Sequence, residues 1–313
     1  MGVKMKVKPL NQHAFGACVT DLDLASIDAE TLDAVYQALL RYGLLVFPQQ
    51  NLDEANQAAF GKKLGTLEFG GVLLANQVKQ EGGSFSDVLP TSSHRMKTNI
   101  GNEAWHTDST YWPISSKCAL LSAVRVPAVG GETEFADMRA AYAALTPETQ
   151  QKIAGLSAYH STEYSQANDL GHFPQRRPDS LYHGEAYLRP LVKIHPETQI
   201  PSLFVGRHAF GIPGLSRRDS RALLQQLVSD AVSDPARIYR HHWQVGDTVL
   251  WDNRALLHRA CPYDYSVPRV LIGTRVAGEP ASELAYYPED PAAAAGRVAL
   301  DEELKHLRRE NAE

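Results

Sequence analysis

The amino-acid sequence predicts a mainly β fold with flanking helices, built as a double-sheet jelly roll, also called a double-stranded β-helix. Short apolar runs recur at 44–47, 118–126, 132–135, 188–194, 202–206, 238–243, 248–251 and 269–276, with turn-forming residues near most of their ends. Segments with helical spacing are few and lie between or outside these runs. At 313 residues the chain exceeds a modal domain, yet barrels often run past about 200 residues as one unit. One domain over residues 1–280, followed by a tail at 281–313, is therefore expected.

In chain order, residues 5–24 read as two short strands joined by a turn. Asp28 then precedes Leu32, Val35, Tyr36, Leu39 and Leu40, the spacing of an N-capped amphipathic helix that Gly43 ends. The run 44–47, closed by Pro48, is a buried strand, and 53–64 is a second helix ending near Gly65. Residues 80–96 change character: Gly82, Gly83, Pro90 and four serines mark a mobile surface loop, placed to act as a lid. Just downstream, aromatic and β-branched residues at 105–111 favour a strand. After 118–126, a turn at 127–131 lets 132–135 return as its neighbour. Helices are predicted at 137–145 and 147–154, the second opening on Pro147, and at 216–228. Residues 161–187, rich in His, Tyr, Asn, Gly and Pro, read as an irregular insertion that shapes a pocket or covers a barrel edge. From 281 the chain turns to Pro and Ala, a linker, and then to the charged run 301–309, a surface helix.

A net charge of −5 with scattered Lys and Arg gives no basis for a nucleic-acid partner. Three cysteines, Cys18, Cys118 and Cys261, lack ligand-type spacing, so neither a disulfide framework nor a zinc ribbon is indicated and a cytoplasmic location is expected. The start, Met-Gly-Val-Lys-Met-Lys, has no apolar signal core, and Lys6 stands where a myristoylation signal takes Ser or Thr. No run approaches the roughly 20 apolar residues that span a bilayer. The expected partner is a small molecule, with no membrane; a homo-oligomer stays open.

The chemistry centres on Trp105-His106-Thr107-Asp108-Ser109-Thr110-Tyr111. On a strand, residues two apart project the same way, so His106 and Asp108 can reach one metal ion together. His258, just past the core strand 248–251, offers a third ligand. Two histidines and a carboxylate on one side of an ion, the other side open, form the facial triad of non-haem Fe(II) oxygenases. A zinc hydrolase could use the same three donors. A jelly roll that only binds a ligand would need none of them.

With the triad stand Trp105, Thr133 in Gly130-Gly131-Glu132-Thr133, the stretch Trp251-Asp252-Asn253-Arg254, and Arg269, eleven residues after His258. On these residues the sequence from about 5 to about 280 resembles the taurine/2,4-dichlorophenoxyacetate dioxygenase family of Fe(II)- and 2-oxoglutarate-dependent enzymes. Within that family, residues 101–106, 126–131, 135–142 and 205–209 most resemble the branch that cleaves (S)-2-phenoxypropionate herbicides. The resemblance implies Fe(II) on His106, Asp108 and His258, with 2-oxoglutarate and O2 as co-substrates. It also implies that Arg269 grips the C5 carboxylate of 2-oxoglutarate, a task suited to a planar two-pronged guanidinium, and that the Thr133 hydroxyl adds a hydrogen bond.

The implied reaction is hydroxylation of a small organic carboxylate, yielding succinate and CO2, with fragmentation where the hydroxylated carbon bears an ether oxygen. Candidate substrates are a 2-aryloxyalkanoate, an N-acyl amino acid or an alkylsulfonate. Strand alternation puts Arg269, Leu271, Gly273 and Arg275 on one inward face. In taurine-type members an arginine four residues after the keto-acid arginine holds the substrate anion; here that position is Gly273. Lys97 and Arg207 match the (S)-phenoxypropionate branch in context and are expected to hold a substrate carboxylate, with Asn102 and Ser109 as hydrogen-bond partners. Trp251 and Asp252 are expected to shape the turn that presents His258, with Arg254 in support, and His208 is kept as a further candidate.

Overall fold

The structure, a computed structural model, describes residues 5–10 and 15–312. Its first half comprises β1 (Lys6–Pro9), β2 (Ala17–Thr20), α1 (Ala29–Tyr42), β3 (Leu44–Phe47), α2 (Glu54–Leu64), β4 (Leu67–Ala75), α3 (His94–Gly101), β5 (Ser116–Arg125), β6 (Thr133–Asp137), α4 (Met138–Ala143) and α5 (Pro147–Ile153). Next come β7 (Ser157–His160), α6 (Thr162–Leu170), β8 (Tyr187–Pro190), β9 (Val192–Ile194), β10 (Pro201–Leu203), β11 (Ala209–Phe210) and α7 (Arg217–Ala231). The chain ends with β12 (Ile238–His241), β13 (Thr248–Asp252), β14 (Leu256–Ala260), β15 (Val270–Ala277), α8 (Pro280–Glu283), α9 (Pro291–Ala294) and α10 (Gly296–Glu310).

Seven strands form the large sheet in the order β1-β2-β3-β13-β5-β15-β4, and β12-β6-β14 form a smaller one. The central strands β3 and β13 of the large sheet are apolar or nearly so and fully buried, because both faces of that sheet are covered there. Leu44, Val46, Leu121, Trp251 and Leu271 of the large sheet meet Phe135 and Leu256 of the small one in a single buried cluster, so the two sheets pack face to face. On the far face of the large sheet, Val35 and Leu39 of α1 and Phe60 and Leu64 of α2 pack against Leu45, Phe47, Leu120 and Leu250. Capping explains where α1 begins and ends: the Asp28 carboxylate accepts from the Thr31 amide at 2.8 Å, and Gly43 closes the helix in the left-handed region at φ 72°.

Four local expectations are corrected. Residues 105–111 form no strand; His106 makes one isolated bridge to His258 and the chain then turns. His258 does follow the core strand β13, but it lies inside a further strand, β14, where none was predicted. The segment 161–187 begins with an ordered helix, α6, capped by Ser161. The tail is not a linker with a surface helix: Leu300, Leu304 and Leu307, spaced four and three apart on α10, are buried in a cluster with Tyr164 and Ala167 of α6. Each such leucine contributes about 1.5–3 kcal/mol of burial. β4 and α3 lie where no element was predicted. The turn expected between the first two strands falls on residues 11–14, outside the described residues, as do the first four residues of the start. Among the described residues, no helix is long and apolar enough to cross a membrane.

Candidate active site

His106, Asp108 and His258 are all buried, and their ligating atoms lie within 4.8 Å of one another. The two histidines are brought together by the backbone. Each donates its amide to the other's carbonyl at 2.9 Å, which sets the imidazoles side by side with ring centroids 4.2 Å apart. β14 is held in register by β6, which places Phe135 opposite His258, and the Trp251 ring packs 4.8 Å from the His258 ring.

His106 Nδ1–H donates to the Ala104 carbonyl at 2.8 Å, which leaves Nε2 with its lone pair free. His258 Nε2 stands 3.6 Å from Asp108 Oδ2. Burial, with each ring close to other positive groups, drives the pKa of both histidines below the ordinary range, so they are neutral ligands at neutral pH.

Asp108 reaches the group through a tight turn. Ser109 has φ 59°, a left-handed conformation uncommon for serine, and Trp112 N–H closes the turn on the Ser109 carbonyl at 3.1 Å. Buried Arg189 of β8 braces it, donating to the Thr110 carbonyl at 2.6 Å and also to that of Trp112. Burial alone would raise the Asp108 carboxyl, but the guanidinium of Arg275, ion-paired with Oδ1, leads the effects that outweigh it and hold the carboxyl below its usual range. Arg275 also donates to the Tyr111 hydroxyl at 3.2 Å, while Ser109 Oγ donates to Glu68 at 2.6 Å.

These groups open onto a cavity of about 800 Å³, counting its mouth, with Arg269 and Thr133 also on its wall. Arg269 is oriented by its backbone: its amide donates to Asn76 Oδ1 at 2.8 Å, and its Nε and Nη2 to the Gly131 carbonyl at 3.1 and 2.9 Å. Among the described residues no carboxylate lies within ion-pair distance of it, so the guanidinium can take up an anion. The Thr133 hydroxyl accepts from Trp243 Nε1 at 3.0 Å, which leaves its own proton to donate. Leu271, Gly273 and Arg275 share the wall with Arg269, as strand alternation predicts.

The donor set suits a divalent transition metal: two neutral imidazoles and one ionised carboxylate, with Asp108 kept anionic by Arg275. An anion-free arginine and a donor hydroxyl in the same cavity suit a dicarboxylate.

The other expected residues are placed differently from one another. Asn102 lines the cavity. Ser109 points to Glu68, and Lys97, half-buried on α3, is not on the cavity wall. Arg207 pairs with Asp169 at 2.8 Å and lines a different pocket. His208 packs edge-on against His106 and bonds Ser165 at 2.9 Å, behind the triad. Asp252 binds Arg254 through both oxygens and also His195 at 3.0 Å, fixing the turn between β13 and β14. Sequence reasoning missed Asn76, Glu68, Arg189 and the hydrogen-bonded pair Glu103–Tyr265 at the cavity mouth, because each acts through a distant partner and belongs to no local motif.

This arrangement has counterparts in known proteins. An (S)-phenoxypropionate/alpha-ketoglutarate-dioxygenase of Sphingobium herbicidovorans is 46% identical over 290 residues, covering 91% of this chain and 99% of the relative. One of the same name from Delftia acidovorans is 44% identical over 275 residues, covering 86% and 94%. The crystal structure of AAD-2 in complex with Mn(II) and N-oxalylglycine superposes with a TM-score of 0.82 at 35% identity, over 91% of this chain and 100% of that one. The profile of the taurine catabolism dioxygenase TauD, TfdA family matches residues 6–275, and with the triad and the free arginine meeting in one cavity, the chain belongs to that family.

Proposed function

We propose that this chain hydroxylates a small aryloxyalkanoate carboxylate, with loss of the ether link where the hydroxyl is placed beside the ether oxygen. The chain is a 2-oxoglutarate-dependent dioxygenase that uses Fe(II), 2-oxoglutarate and O2 and gives succinate and CO2. Membership of this family sets the zinc-hydrolase and binding-only readings aside, and the names of the two relatives favour an aryloxyalkanoate over an alkylsulfonate or an N-acyl amino acid. The observation that carries the reading is the convergence of His106, Asp108 and His258 with Arg269 on one cavity.

In this reading His106, Asp108 and His258 hold the iron, and Arg269 with Thr133 holds the far carboxylate of 2-oxoglutarate. Iron and 2-oxoglutarate supply the oxidation of a C–H bond by O2. The protein's part is to position and to exclude water. Phe69, Leu74, Met96 and Ile100 offer an apolar wall for an aryl body, and Gly273 lets the Leu74 side chain close against it, where an added Cβ would stand 3.0 Å from Leu74 Cδ1. Asn102 is placed to hydrogen-bond the substrate. The two facing sheets are read as the jelly roll of the family, and residues 80–96 as its lid.

Screening the Fe(II)-loaded protein with 2-oxoglutarate against 2-aryloxypropionates, alkylsulfonates and N-acyl amino acids, while following succinate and released phenol, tests the reading. Succinate formation coupled to phenol release is expected with the first class. Coupled turnover confined to either other class would sink the substrate assignment. Full activity in folded His106→Ala would sink the site.

A further inference from the structure

Given the reading of Arg269 as the keto-acid anchor, we infer that Asn76 is a positioning residue for the co-substrate. Its carboxamide sets the backbone of Arg269, and so the place where the guanidinium meets the far carboxylate of 2-oxoglutarate.

Both main-chain polar groups of Arg269 go to this one residue. The Arg269 amide donates to Asn76 Oδ1 at 2.8 Å, and the Arg269 carbonyl accepts from the Asn76 amide at 3.2 Å. The position in the fold explains the need. β4 and β15 pair as far as Ala75 opposite Val270, and β4 ends there. Past that end, the side-chain oxygen of Asn76 stands in for the ladder partner that the Arg269 amide would otherwise lack.

The same side chain holds the loop that leads into Arg269. Asn76 Nδ2 donates to the Val267 carbonyl at 2.7 Å and to the Tyr265 carbonyl at 3.3 Å. Between Val267 and Arg269 stands Pro268, which has no amide proton to give. One carboxamide therefore grips the chain on both sides of the proline. Aspartate at this position would offer no donor, leucine neither donor nor acceptor, and glutamine would set the amide one methylene further out. Asn76 is itself anchored. It is 1% exposed, its carbonyl accepts from the Leu89 amide at 2.8 Å, and the carbonyl of Ala75 beside it accepts from Asn99 Nδ2 of α3 at 3.1 Å.

The guanidinium is held at its tip along one edge, by Nε and Nη2 on the Gly131 carbonyl. Its other support is the backbone that Asn76 fixes. A buried polar side chain with every group bonded defines one geometry, and a donor held in place before its ligand arrives loses less freedom on binding. Loss of Asn76 therefore weakens capture of 2-oxoglutarate and spares turnover once that acid is saturating.

Anaerobic calorimetric titration of the Mn(II)-loaded full chain with 2-oxoglutarate tests this, with Arg269→Ala as reference. Asn76→Ala is expected to raise the dissociation constant at least about tenfold and Asn76→Asp at least about fivefold, with one site per chain retained. In the Fe(II)-loaded variants the KM for 2-oxoglutarate should rise likewise, with kcat within about twofold of wild type. If Asn76→Ala does not fold, Asn76→Asp decides. A raised constant in Arg269→Ala with none in a folded Asn76 variant overturns the role of Asn76 alone. An unchanged constant in Arg269→Ala sinks the anchor reading, and the role of Asn76 with it. A lower site count or kcat at unchanged affinity for 2-oxoglutarate would make Asn76 merely structural and also overturns the proposal.

Discussion

Arg275 sets its guanidinium on the outer oxygen of Asp108, so that the carboxylate proposed as the metal ligand already has a positive partner before any metal arrives. Breaking a buried pair by removing one member strands the other charge, at a cost of about 3–5 kcal/mol. Arg275→Met is therefore expected to destabilise the metal-free protein by that order. A divalent ion would replace the missing charge, so Mn(II) should raise the melting temperature of the variant more than that of wild type. Equal Mn(II) shifts in the two proteins would mean that Asp108 does not depend on Arg275.

Arg269 differs from Arg275 in having no acidic partner among the described residues, and its guanidinium is held to the Gly131 carbonyl instead. If it anchors 2-oxoglutarate, truncation to alanine removes one member of a desolvated charge pair and costs about 2–5 kcal/mol. At about 1.4 kcal/mol per tenfold, the apparent KM for 2-oxoglutarate should rise by roughly 30-fold or more. Arg269→Lys should recover only part of this, because an ammonium lacks the two-pronged fit. An unchanged KM in Arg269→Ala would remove the residue from the site.

Buried His160 has neither ring nitrogen hydrogen-bonded among the described residues, and burial beside Arg189 holds its pKa down to about 3. In the unfolded chain a histidine takes up its proton below about pH 6.5. Between these values the unfolded state binds more protons than the folded one, so stability is full above about pH 6.5 and falls as the pH drops toward 3. At pH 5.5 this residue alone should cost about 1.4 kcal/mol. His160→Leu is expected to lose less than wild type between pH 7.5 and 5.5 in urea unfolding. Equal losses would assign the acid sensitivity to other groups.

What could be read in the sequence follows from how local each signal was. Asp28 and Gly43 mark the ends of α1 through bonds to residues three and four away, so the helix was legible as text. β3, β13 and β15 were legible because strands buried on both faces are continuously apolar. β4 was hidden by Gly70 and Gly71, which break the apolar pattern where a side chain on Gly71 would strike the Glu54 carbonyl. The triad was found despite a wrong premise: His106 and Asp108 converge through one bridge and a strained turn, not through a ladder. Nothing near Glu68 or Arg189 in the sequence points to that turn, because their partners lie 41 and 79 residues away.

The sequence context of Lys97 and Arg207 suggested a substrate-carboxylate pair, and the structure leads to a different expectation for Arg207. Its side chain is buried, its Nε is committed to Asp169, and its amide bonds the Trp105 carbonyl at 2.9 Å, next to His106. Truncating it leaves Asp169 without its partner and loosens the segment that carries the triad histidine. Arg207→Ala should therefore lower substrate-coupled succinate formation and the slower uncoupled decay of 2-oxoglutarate in parallel, with a lower melting temperature. Asn102 faces the cavity and makes no side-chain hydrogen bond to another described residue, so Asn102→Ala should weaken only the coupled reaction, by roughly fivefold for one hydrogen bond of about 1 kcal/mol. Lys97, half-buried at one side of α3, should leave the uncoupled decay untouched, and its effect on the coupled reaction measures whether its long side chain reaches the mouth. Measuring both rates for the three variants decides among these roles. Selective loss of the coupled reaction in Arg207→Ala, with an unchanged melting temperature, would return that arginine to the substrate.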